Sequence, residues 1–132
     1  MAVTLEVRAD LVRNRLYMRM TGFMSEADAR QAADAVIAEM GKLRPGFAII
    51  NDIRGLKPAS PAASDQMQRT QEAAVKFGYS RAIRVVGDQL ITHMQWSRTL
   101  KAAHGHEIET ATTVEEAERM LERGSARPPV KS

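Results

Sequence analysis

Near the start of the chain, two short stretches alternate in hydropathy at every second residue. Val3, Leu5 and Val7 interleave with Thr4, Glu6 and Arg8, and Leu16, Met18 and Met20 interleave with Arg15, Tyr17 and Arg19. A period of two predicts two half-buried strands, and the short polar link from Asp10 to Asn14 predicts an antiparallel hairpin between them. Its outer face would carry Glu6, Arg8, Arg15, Tyr17 and Arg19, either as solvated surface or as a contact face. Gly22 breaks the alternation, and Ser25 with Asp28 three residues on predicts a capped helix start. Ala29, Ala33, Val36, Ile37 and Met40 then form one apolar stripe of helical period, ended by Pro45.

The pattern changes again at Gly46. Phe47, Ala48, Ile49, Ile50 and Ile53 make a nearly continuous apolar run of strand length, which suits a central strand covered on both faces. Asn51 and Asp52 are expected at its carboxyl end, where open α/β sheets present contacts. Ser60-Pro61 then reads as an N-cap followed by proline in the first helical position. The helix carries Ala63, Met67, Thr70, Ala74 and Phe77 on one stripe and Gly78 as its C-terminal cap. Arg81 to Gly87 predicts a fourth strand, Asp88 onward a third helix with Trp96, and Glu107 to Ala111 a short edge strand. Thr113 with Glu116 predicts a capping box for a last helix reaching Gly124. The expected order is β-β-α-β-α-β-α-β-α, a mixed α/β sheet of about five strands with about four helices. The initial hairpin is antiparallel, and right-handed crossovers make the later strands parallel. One domain over residues 1–124 and a disordered tail over 125–132 are expected.

Composition narrows the classes. At 132 residues and 44% hydrophobic, the chain suits one core. It has no cysteine, so neither disulfides nor thiolate metal sites are available. A formal charge of +3, with interleaved signs and 5% aromatic residues, argues against nucleic-acid binding. No apolar run approaches the roughly 20 residues of a membrane span, and the N-terminus lacks a signal-peptide pattern, so a cytoplasmic protein is expected. His93, His104 and His106 lack metal-site spacing, and no nucleotide or nucleophile-elbow motif occurs. No metal, cofactor or catalytic group is assigned, and an enzyme is not expected.

The element order, the central strand with Asp52-Ile53-Arg54, the loop into a helix at Ser60 and the closing Thr113-Val114-Glu115-Glu116-Ala117-Glu118 helix resemble the STAS family of sulphate-transporter and anti-sigma-factor antagonist domains. The resemblance covers roughly residues 3 to 123 and is nearest to the small stand-alone bacterial type. It implies a non-enzymatic regulatory interaction module whose partner is an anti-sigma factor or a kinase-like regulator. In antagonist members a serine at the start of the second helix is phosphorylated. The family's strand-ending aspartate falls on Asp52. Its Asp-Ser signature is replaced here by Ala59-Ser60-Pro61, which leaves Ser60 and Ser64 as the hydroxyl candidates and Ser60 first of all a helix cap.

These residues suggest partner binding through Asp52, Arg54, Lys57, Ser60 and Gln68. The alternative is a carrier of a small molecule or lipid, with Phe47, Met67, Phe77 and Trp96 lining an apolar pocket. A homodimer through the uncovered sheet face or the edge strand is left open.

Overall fold

The computed structural model describes residues 4–57, 60–86 and 109–123. Five strands, β1 (Thr4–Asp10), β2 (Arg15–Gly22), β3 (Ala48–Leu56), β4 (Arg81–Val85) and β5 (Glu109–Ala111), form one sheet in the order β1-β2-β3-β4-β5. β1 and β2 pair antiparallel, and every later pairing is parallel, with β3 in the middle. The described helices are α1 (Glu26–Met40), α2 (Pro61–Phe77) and α3 (Val114–Glu122). The helix expected from Asp88, with Trp96, lies outside the described residues, as do His93, His104, His106 and the tail.

The hairpin turns where Asp10 Oδ1 accepts the backbone N–H groups of Val12 and Arg13 at 3.1 and 3.0 Å. Asn14 takes the left-handed conformation that asparagine tolerates, φ 58°. Its side chain bonds both the N–H and the carbonyl of Arg44, tying the hairpin to the loop that enters β3. Ser25 and Asp28 form the expected capping box, and Gly78, at φ 85°, ends α2 in the left-handed conformation. α3 differs from expectation. Thr113 Oγ1 accepts from Glu116 N–H, but the Glu116 carboxylate turns to the N–H of Thr112 at 2.8 Å instead of closing the box on Thr113.

Alternation distributes the core over the two faces of the sheet. Toward α1 and α2, Leu16, Met18, Phe47 and Ile49 pack with Val36, Met40 and Ala74, while Met20, Ile53 and Leu56 pack with Ala29, Ala32, Ala63 and Met67. Toward α3, Ile50, Ile83 and Val85 pack with Ala111 and Ala117, and Tyr17, Val114 and Met120 border them. Phe77, expected on the buried stripe of α2, is the last residue of the helix and is 37% exposed.

Candidate interaction site

β3 is longer than its sequence suggests. It runs three residues past Ile53 to Leu56, so Asn51 and Asp52 lie mid-strand and buried, not at the carboxyl end. The extension is possible because Gly55 and Leu56 pair with Thr21 and Gly22 of β2. Between the pairs Arg19–Asp52 and Thr21–Gly55 the register shifts, so that Ile53 and Arg54 together face Met20. This bulge explains how Ile53 and Leu56, three apart, both reach the same helix-side cluster. A Cβ on Gly55 would lie 2.7 Å from Thr21 Cγ2, so the close strand approach needs a glycine there.

At the bulge Asp52 and Arg54 form a fixed pair. The N–H and Nε–H of Arg54 donate to Asp52 Oδ1 at 3.1 and 3.0 Å, and Nη2 donates to Oδ2 at 2.8 Å. Burial pushes the Asp52 carboxyl up, but the Arg54 bonds and the neighbouring Arg19 outweigh it and hold it below its ordinary value. Arg54 itself is raised by the same bonds. Its side chain is 44% exposed, so a cation reaches solvent from an anchored position.

Asp52 also borders a surface hollow of about 640 Å³ on the outer face of the β1–β2 hairpin, walled by Val114 of α3. The outer face has the composition expected of it. Glu6 faces Arg19 and Arg8 faces Tyr17 across the hairpin. The Arg8 guanidinium lies 4.1 Å from the centre of the Tyr17 ring, and the Tyr17 hydroxyl donates to Glu118 of α3 at 3.0 Å.

The other expected contact residues follow along the chain. Lys57 is exposed and its backbone N–H bonds the carbonyl of Gly22. Ser60 caps α2, its Oγ accepting the N–H of Ala63 at 3.2 Å, with Pro61 in the first turn. Gln68 donates to Glu72 at 3.3 Å on the partly exposed side of α2. Ser64 is half-buried one turn into the helix. Asp52 and Arg54 thus belong to the α3 side of the sheet, and Ser60, Ser64 and Gln68 to the helix packed on its opposite side. The Gly55–Ser60 connection joins the two groups. Among the described residues, no cluster of three His, Cys, Asp or Glu side chains could hold a metal ion, and no helix is long and apolar enough to cross a membrane.

The apolar pocket expected from Phe47, Met67, Phe77 and Trp96 does not form from the described members of that set. Phe47 is fully buried in packing, and Phe77 faces solvent. A cavity of about 40 Å³ lies instead between α1, α2 and the sheet, with Asn51, Thr70, Gln71, Tyr79 and Arg84 among its lining residues. Sequence reasoning missed this polar group. Its signal was present as polar residues at helix-facing positions, Asn51 between Ile49 and Ile53 and Arg84 beside Ala82.

Neither a protein-family profile nor a curated protein sequence matches the chain. Solved structures do. A DUF3478-family protein with a SpoIIAA-like fold from Shewanella loihica is similar at 15% identity and TM-score 0.64, covering 91% of this chain and 94% of its own. An anti-sigma factor antagonist from Mycobacterium paratuberculosis is similar at 12% identity and TM-score 0.60, covering 92% and 95%. With the sheet order and the helix placement above, these likenesses show that the chain has a SpoIIAA-like fold of the STAS type.

Proposed function

We propose that the chain is a non-enzymatic regulatory module that docks a protein partner, an anti-sigma factor or a kinase-like regulator, through Asp52, Arg54, Lys57, Ser60 and Gln68. The observation that carries this reading is the Asp52–Arg54 pair. A half-exposed guanidinium, anchored by two hydrogen bonds at a bulge beside a broad hollow, presents a charge whose side-chain freedom is already lost before binding. A carboxylate held ionised by that arginine is poorly suited to proton transfer near neutral pH, which supports a binding role over a catalytic one. The fold shared with an anti-sigma factor antagonist supports the regulatory reading.

Phosphorylation would act at Ser60 or Ser64. A phosphate on Ser60 would stand at the positive end of the α2 dipole, beside the Ala63 N–H that its hydroxyl now caps. The docking test captures partners from an extract of the protein's own cells with the wild-type chain, Arg54→Glu and Lys57→Glu. We expect a specific protein held by the wild type and lost from both variants, with Lys57→Glu retaining the wild-type melting temperature. Equal retention by all three would overturn the docking site. Incubation of the same extract with ATP should add phosphate to the peptide from Lys57 to Arg69, and an unmodified peptide would remove the switch.

A further inference from the structure

We propose that the cavity between α1, α2 and the sheet binds a small neutral molecule of the primary-amide or urea class, one bearing both N–H donors and a carbonyl acceptor. Two side chains carry the inference. Asn51 and Gln71 are 7% and 6% exposed, both line the cavity, and Asn51 Oδ1 and both polar atoms of Gln71 make no hydrogen bond among the described residues. Buried polar groups are nearly always satisfied, and leaving three such atoms unmet is costly. Their chemistry defines what would meet them. The two carbonyl oxygens require donors, which a carboxylate or phosphate lacks, and the Gln71 amide nitrogen requires an acceptor. An apolar guest would leave all of these atoms unmet.

Size and shape narrow the class further. About 40 Å³ corresponds to roughly three water-sized volumes, hence a molecule of about three or four non-hydrogen atoms. The polar atoms gather on the β3–β4 and α2 side, whereas Leu16, Met18, Val36, Met40 and Ile49 line the cavity with apolar surface. A water needs two to four polar partners, so waters placed against that apolar wall would be poorly held. A methyl group would pack there, against two methionines that adapt to irregular shapes. Acetamide combines both halves. The cavity's side chains face the opposite side of the sheet from the Asp52–Arg54 pair that carries the docking proposal.

The test adds acetamide to the full chain and follows the side-chain amide signals of Asn51 and Gln71 by proton–nitrogen correlation NMR. We expect saturable shifts centred on those two residues, with a dissociation constant no tighter than roughly 50 µM, the ceiling for so few atoms. Sodium acetate should bind about tenfold more weakly or less, because two acceptors would face its carboxylate. Gln71→Met, of similar shape and without unmet polar atoms, should raise the melting temperature of the free protein and abolish the acetamide response. Absence of saturable shifts, acetate binding as well as acetamide, an unchanged response in Gln71→Met, or long-lived waters as the sole occupants would each overturn the proposal.

Discussion

Arg54 stands two residues beyond Asp52, and on an extended strand that spacing puts both side chains on one face. Their pairing is therefore local, but its strength comes from the burial of one member and the exposure of the other. Asp52 is 4% exposed, so removing Arg54 leaves a carboxylate largely cut off from water. Arg54→Ala should cost about 1–3 kcal/mol in urea unfolding at neutral pH, with the lower end favoured by the exposed guanidinium. The acid limb has a definite sign. The carboxyl of Asp52 is held below 3.8 in the folded chain, so its contribution is complete above 3.8 and disappears as pH falls through the lower folded value. Asp52→Asn should flatten that part of the stability profile, and an acid limb as steep as that of the wild type would count against the pair. Both residues were legible in the sequence as contact candidates. Their pairing was not, because the bulge at which Arg54 meets Asp52 depends on the register of β2.

The elements were most legible where their signals are local. Ser25 with Asp28, Ser60-Pro61 and Gly78 each place a cap within four residues of the group they satisfy, and each cap is in place. The β3 bulge depends on β2 and left no such trace. Gly55 looks like a strand breaker in isolation, yet it is the residue that allows Thr21 to lie against the backbone of β3. The same dependence explains why Asn51 and Asp52 were expected at a strand end. Gly55→Ala should lower stability by about 1–3 kcal/mol through overpacking against the Thr21 methyl. Thr21→Ala should restore a large part of that loss when combined with it, since the 2.7 Å contact is removed while the 3.1 Å contact to Cβ remains. A double-mutant cycle with strictly additive losses would show that the two side chains do not meet.

At the scale of the whole molecule, the split between antiparallel hairpin and parallel sheet and the central place of β3 followed from hydrophobic period and crossover connections. The lining of the inner cavity did not, because Asn51, Gln71 and Arg84 come from three elements and meet only after folding. The unequal covering of the sheet is also a property of the assembled chain. Among the described residues, two helices cover the face with the larger part of the core, and α3 covers Ile50, Ile83 and Val85 on the other. Those three residues belong to central strands whose alternate side chains face α1 and α2, so the cluster under α3 cannot loosen without disturbing both layers. Ala117 is fully buried at the centre of that contact. Ala117→Glu would force a carboxylate into it at a cost of at least about 3 kcal/mol. For a chain of this size that corresponds to a fall in melting temperature of roughly 10 °C. Because the sheet is shared, the loss should appear as one cooperative transition moved to lower temperature by both circular dichroism and scanning calorimetry. Two separated transitions would instead mean that α3 docks on a sheet already folded without it.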